Sequence, residues 1–245
     1  TIEAESIVLR VLDNKNIDKK LNDLGLSQDI YENLKDILKL TQGLILISGP
    51  TGSGKTTTLY SILKELNSDD KKIITVEDPI EYKIDSINQV PINNKVGLSF
   101  ELVLKNILRQ DPDIIFIGEI RDKFSLDIAL QASLTGHLVL ASIHASSSVE
   151  TITRLIDLKA DPFLISTTLK AVMAQRLVLA HCKSCENGCK KCNFTKFYDR
   201  TSISEILKVD EQISSLIFNK ASFNELKEYL KNINFYVCSS YTYIM

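Results

Sequence analysis

Gly49-Pro50-Thr51-Gly52-Ser53-Gly54-Lys55-Thr56 reads as a complete phosphate-binding loop, and its flanks decide the kind of fold it belongs to. Just before it, Leu44-Ile45-Leu46-Ile47 is a short unbroken apolar run, as expected of a strand buried on both faces. After it, Thr57-Thr58-Leu59-Tyr60-Ser61-Ile62-Leu63-Lys64 carries a helical pattern. Strand, glycine-rich loop and helix in that order are the context the motif requires. Gly49, Gly52 and Gly54 free the backbone to curl, so that successive N–H groups point at phosphate oxygens above the positive helix end. Lys55 is expected to reach the β- and γ-phosphates and the Thr56 hydroxyl to ligate magnesium, with Gly49 through Thr57 forming a nucleoside triphosphate site.

Further apolar runs alternate with helical patterns. Ile73-Ile74-Thr75-Val76, Asp113-Ile114-Ile115-Phe116-Ile117 and His137 to His144 read as strands. Helices are expected from Ser27, from Ser99, over about 125–134, and at about 147–158 and 162–174. The segment 80–98 is mixed, with Pro91 and Gly97 as breakers. This rhythm predicts an α/β fold with a mainly parallel sheet covered on both faces. The expected organisation is a remnant of a preceding domain at 1–16 and a linker at 17–26. A nucleotide-binding α/β domain follows at 27–209, with a cysteine insert at 181–193 and a helical segment at 210–245.

Composition narrows the classes. The 245 residues suffice for one large α/β domain and an appendage, and the 44% hydrophobic content is that of a globular protein. Lys plus Arg total 29 against 31 for Asp plus Glu, a net charge of −2, which argues against general adhesion to nucleic acid or membranes. No apolar run approaches the ~18–20 residues of a membrane span. Four of the five cysteines lie within 182–192, a spacing that favours metal over disulfides and a reducing, cytoplasmic compartment.

Ligands of parallel sheets sit at the carboxyl ends of the strands. The polar residues there are Glu77 and Asp78, Gly118-Glu119, and Ser142 through His144. Glu119 is the first choice to orient or activate an attacking water; the plain alternative is an acidic residue that merely ends a strand. Glu77 and Asp78 suit a magnesium shell or a solvated Asp-Pro turn equally well. Arg109 and Arg121 bracket the Glu119 strand, either as charges near a γ-phosphate or as surface ion pairs. His137 and His144 bracket another strand, as nucleotide sensors or as satisfied core histidines.

Cys182-x-x-Cys185 and Cys189-x-x-Cys192 are two knuckles whose four thiolates suit a closed, structural tetrahedral zinc. An iron–sulfur cluster or redox pair competes. Lys183, Lys190 and Lys191 raise a nucleic-acid-binding knuckle, which the lack of aromatics inside the block weakens.

Together these pieces resemble the secretion ATPases that drive type II secretion, type IV pilus assembly and competence pseudopili. The resemblance runs in order from about Val8 to Leu207. It includes Gly49 to Tyr60 as the Walker A segment, Ile74 to Tyr82 as an aspartate box, and Leu108 to Asp122 as a Walker B in which glycine precedes the catalytic glutamate. Thr135 to Ala145 is similar to the histidine box, and Ala174-Gln175-Arg176-Leu177 and Arg200 to Leu207 continue the match. The resemblance implies a RecA-like ATPase using ATP, Mg2+ and Zn2+, with Glu119 as the catalytic glutamate. It places Glu77, Asp78 and Glu81 in the active site, Arg109 and Arg121 facing the nucleotide, His137 and His144 sensing it, and Arg10 reaching it from the preceding domain. It implies a homohexameric ring, docked through partners on an inner-membrane platform, without membrane insertion or direct nucleic-acid binding. The four-cysteine block points to the secretion and assembly branch rather than retraction. A non-hydrolysing nucleotide switch and a zinc-dependent nucleic-acid-binding ATPase are the rival expectations.

Overall fold

The computed structural model describes residues 19–235, so Arg10, the domain remnant expected at 1–16, and Cys238 lie outside the described residues. A 3-10 turn, Leu21–Leu24, sits within the stretch read as a linker and buries Leu21. Helix α1 (Gln28–Ile37) starts after Ser27 and buries Leu34 and Ile37. Strand β1 (Gly43–Ser48) is buried at every position. It leads through the glycine loop into α2 (Lys55–Leu66). Then come β2 (Ile73–Glu77), β3 (Asn88–Pro91) and α3 (Phe100–Ile107), the last capped by the Ser99 hydroxyl accepting from Leu102 N–H. Strand β4 (Ile114–Ile117) is followed by α4 (Lys123–Leu134), β5 (Leu138–Ile143) and α5 (Ser148–Asp157). The chain continues through α6 (Pro162–Thr168), β6 (Leu169–His181), β7 (Phe197–Lys208), α7 (Glu211–Phe218) and α8 (Phe223–Asn232).

One seven-stranded sheet runs in the order β3-β2-β4-β5-β1-β6-β7. Every pairing is parallel except β6 with β7. The alternation of β1 divides the core: Leu44 and Leu46 pack toward α3 to α8, whereas Ile45 and Ile47 pack toward α1 and α2. Residues of α7 and α8, Ile213, Ile217, Leu226 and Leu230, belong to the first of these cores. Among the described residues no helix is long and apolar enough to cross a membrane.

Two local expectations need correction. The helix expected over 162–174 ends at Thr168, and residues 169–174 open the long strand β6. Ala171, Met173 and Ala174 are good helix formers, but pairing with β1 on one side and β7 on the other outweighs propensities of a few tenths of a kcal/mol per residue. The mixed segment also contains β3, an edge strand that pairs only with β2 and closes on Pro91, where an edge tolerates the missing N–H.

The sheet sets a stability test. Ile47→Ala, which opens a cavity in the layer beneath α2, is expected to cost about 2–5 kcal/mol in urea unfolding. Leu179→Ala, at a position 62% exposed on the outer part of β6, should stay within about 0.5 kcal/mol of wild type.

Candidate nucleotide site and cysteine centre

The register of the parallel strands brings the expected residues together. Ser48 pairs with Ile143, Val76 with Ile117, and Ile117 with Ala141, so the residues that follow these strands emerge along one edge. There Gly49, Asp78, Gly118-Glu119 and His144 succeed β1, β2, β4 and β5. The cleft between them has a volume of ≈ 530 Å³ and is lined by Thr51, Gly52, Lys55 and Thr56 from the loop and by Glu77, Asp78, Glu81, Glu119, Arg121 and His144 opposite. That size suits a nucleotide-sized ligand.

Gly49 is sterically required, and Gly118 is tightly confined. A Cβ at Gly49 would lie 2.4 Å from Ser53 Oγ and 2.5 Å from the Gln175 carbonyl oxygen. A Cβ at Gly118 would lie 3.1 Å from the Val76 carbonyl oxygen, because Gly118 N–H bonds that same oxygen at 2.8 Å. Glycine before the glutamate thus lets β4 close onto β2, and the Ser142 hydroxyl, 2.5 Å from the Gly118 carbonyl, ties the same turn to β5.

The loop itself is held from below. Gln175, 2% exposed on β6, donates through Nε2 to the Ser53 carbonyl at 2.7 Å and accepts from the Thr58 hydroxyl at 2.9 Å. Lys55 Nζ donates to the Gly49 and Pro50 carbonyls at 2.8 and 3.1 Å. Burial pushes the Lys55 ammonium below the usual lysine range, opposed by the charge of Glu119. Ser53 Oγ is buried with no hydrogen-bond partner, and an anion cradled by the loop would give it one. A second recess of ≈ 130 Å³, behind the loop, is lined by Gly54, Thr57, Leu177 and Arg200 among others.

Glu119 sits between two donors: Arg121 Nε approaches Oε2 at 2.6 Å and His144 Nε2 approaches Oε1 at 3.0 Å. Arg121 also reaches the Asp78 carboxylate at 3.7 Å. Each carboxylate oxygen keeps a lone pair for a further donor, so the group can accept a proton while its orientation is fixed. Glu77 differs, being 3% exposed and bonded by the hydroxyls of Tyr60 and Thr75 and by Gln89 Nε2 at 3.2 Å. Thr56, Asp78, Glu81 and Glu119 line the cleft with oxygen donors, the kind a hard divalent cation such as magnesium takes.

Two expected residues lie elsewhere. His137 precedes β5 at its amino end, with Nδ1 2.9 Å from the Ala132 carbonyl and 3.2 Å from the Thr135 hydroxyl. The strand separates it from His144 by about 20 Å. Arg109, in the 3-10 turn Leu108–Gln110, precedes β4 in the same way. Neither lines the cleft of its own chain. Tyr60, Thr75 and Gln175 stood in the sequence only as members of longer motifs and Gln89 within the mixed segment, none with a role of its own, whereas Ser142 was among the polar residues at the strand ends; a polar side chain interrupting an apolar run is the signal that Gln175 offered.

The four cysteines are free thiols at the tip of the β6–β7 hairpin, and their sulfurs all lie within 4.8 Å of one another. The separations Cys182–Cys189, Cys185–Cys192 and Cys189–Cys192 are 3.9, 3.6 and 3.8 Å. Tetrahedral zinc with bonds of about 2.3 Å demands sulfurs about 3.8 Å apart, so the set fits the ion. The Cys189 backbone N–H, 3.1 Å from Cys192 Sγ, does most to hold that thiol below its usual range, toward the thiolate a metal needs, whereas burial pushes the Cys185 thiol up. Aromatics absent from the block itself follow it: Phe194 and Tyr198 are exposed, and Lys191 lies over the Tyr198 ring at 5.1 Å.

A phosphate loop between β1 and α2, faced by a carboxylate after β4 in a mainly parallel sheet, defines a P-loop NTPase-type domain. Residues 1–238 match the family described as type II/IV secretion system protein, and the chain belongs to that family. It is 41% identical to the type II secretion system ATPase E of Vibrio cholerae over 93% of this chain and 50% of that protein. It is 42% identical to the type II secretion system protein HxcR of Pseudomonas aeruginosa, again over 93% and 50%. The chain therefore spans about half the length of the curated relatives it matches. Among solved structures it is similar to the pilus retraction motor PilT with bound ADP, with a TM-score of 0.71 and 30% identity over 88% of this chain and 59% of that one. The Legionella pneumophila ATPase DotB gives a TM-score of 0.68 at 28% identity, covering 88% and 57%.

Two measurements probe the site. Gln175→Ala leaves the Ser53 carbonyl and the Thr58 hydroxyl without their partner; calorimetric titration should show a non-hydrolysable nucleotide binding about tenfold more weakly, equivalent to ~1.4 kcal/mol. Cys185→Ser should reduce zinc measured by atomic absorption from about one ion per chain to a small fraction, with the sheet still cooperative in thermal unfolding.

Proposed function

We propose that this chain is the ATP-hydrolysing motor domain of a ring-forming ATPase that powers a type II secretion pseudopilus or a related pilus or DNA-uptake machine. The observation that carries this reading is the single cleft in which Lys55 and Thr56 face a Glu119 carboxylate held between Arg121 and His144. The loop amides and Lys55 bind the phosphates and offset their charge. Glu119, oriented by its two donors, accepts the proton of the attacking water. In this reading His144, in contact with Glu119, registers the γ-phosphate through it, and Arg121 links Glu119 to Asp78. Magnesium would neutralise phosphate charge, held by the Thr56 hydroxyl with Asp78 and Glu81 facing the same space.

Arg109 and His137, at the amino ends of the strands, are assigned to a neighbouring subunit's cleft in the ring, and Arg10 to the approach of the preceding domain. The zinc centre is structural, since four thiolates leave no open coordination position. The names of the relatives at 41–42% identity support the secretion branch, as does the four-cysteine block. Self-association, docking to platform proteins and a cytoplasmic place at the inner membrane belong to the same proposal.

Phosphate release from ATP, measured across protein concentration with sedimentation on the same samples, checks this reading. Turnover per subunit should climb as rings form, and Glu119→Gln should lower it by at least about 100-fold while nucleotide still binds. Turnover that ignores both concentration and Glu119→Gln would overturn it.

A further inference from the structure

We propose that Tyr60 is a positioning residue for the nucleotide cleft: its hydroxyl clamps the Glu77 carboxylate and the Glu81 backbone N–H at once, fixing the Asp78–Glu81 turn against the helix that carries the phosphate loop. The proposal rests on the hydrolytic assignment of that cleft. Tyr60 lies on α2, five residues beyond Lys55, and is 0% exposed. A buried phenol needs a partner for its hydroxyl, and this one has two. The O–H donates to Glu77 Oε2, and the oxygen accepts from Glu81 N–H at 3.2 Å. Burial, reinforced by the Glu77 carboxylate, holds the phenol pKa well above its ordinary value, so the group stays protonated at any working pH.

The ring cannot turn away from these bonds easily. Tyr82 packs edge-on against it with centroids 4.4 Å apart, and Phe116 does so at 6.1 Å. Glu77 is in turn saturated from inside: besides Tyr60 on Oε2, its Oε1 receives the Thr75 hydroxyl at 2.5 Å and Gln89 Nε2 at 3.2 Å. Such a carboxylate is an anchor, not a base. Gln89 completes the clamp, donating to the Tyr82 carbonyl at 3.1 Å and accepting from Ile84 N–H at 2.7 Å. One network thus grips the 78–84 turn at Glu81, Tyr82 and Ile84. Asp78 and Glu81, the turn's carboxylates in the cleft, are placed through Tyr60, which itself does not line the cleft.

Tyr60→Phe tests this, because it keeps the ring and its packing and removes only the oxygen. Amide hydrogen exchange, ATP binding and turnover are measured on the same protein. Exchange at Glu81 should accelerate about tenfold, as for a lost hydrogen bond, while residues 44–56 keep their protection. kcat should fall on the order of 10- to 100-fold with KM for ATP within about twofold, as expected when reacting groups shift but phosphate contacts remain. A filler role for the ring predicts no such split. Unchanged exchange at Glu81 overturns the clamp whatever the turnover, and so does unchanged kcat in a protein whose turnover depends on Glu119. Wild-type turnover insensitive to Glu119→Gln would instead sink the hydrolytic assignment, and exchange at Glu81 would still decide the clamp.

Discussion

The parallel register of β2, β4, β5 and β1 is the constraint on which every other feature of the site depends. Strands buried on both faces cannot slip by one residue without exchanging which side chains meet which helix layer. Once Ser48 is opposite Ile143 and Val76 opposite Ile117, the residues just beyond have no choice of location. The loop, two acidic turns and a histidine therefore converge from segments nearly a hundred residues apart. The energy holding them is mostly apolar burial in the sheet, which contains no catalytic group. Chemistry at the edge is then free to carry the charges and glycines that a core would reject.

Environment sorts two of the glutamates that line the cleft, Glu77 and Glu119. Glu77 is sealed in and satisfied by three donors, whereas Glu119 is partly exposed between a guanidinium and an imidazole. The first suits a fixed structural charge and the second an acceptor that must meet solvent and substrate. Two carboxylates with different surroundings acquiring different roles is a general way of running acid–base chemistry on one scaffold. Gln175 serves the loop as Tyr60 serves the turn, each a neutral polar group joining elements that the sheet only brings near.

Legibility in the sequence followed the range of the interactions. The phosphate loop and the cysteine knuckles are local patterns, complete within about ten residues, and both could be read directly. The four inner parallel strands β1, β2, β4 and β5 were visible as apolar runs. Strand β6 was partly hidden because Ala171 to Ala174 suits a helix as well as a strand, and only its neighbours on the sheet settle the matter. Strand β3 was hidden because half-exposed edge residues lack an apolar run. Tyr60 and Gln175 were missed because their partners lie 17 and 122 residues away. The bracketing of a strand by Arg109 and Arg121, or by His137 and His144, was itself informative. Residues on either side of a strand lie at opposite edges of the sheet, so one chain cannot bring both members of either pair to one phosphate.

The bond from Gln175 to the Ser53 carbonyl also sets an order of events in the making of the protein. The loop's residues leave the ribosome first, and the strand that supports them from below comes more than a hundred residues later. Until β6 is in place beside β1, the loop lacks the support that Gln175 gives it from below. The loop's complete set of supports is therefore a late property of the growing chain, reached when the sheet has been extended past its centre. A binding partner that holds only the finished loop adds its free energy to the completed fold and to no partly synthesised form.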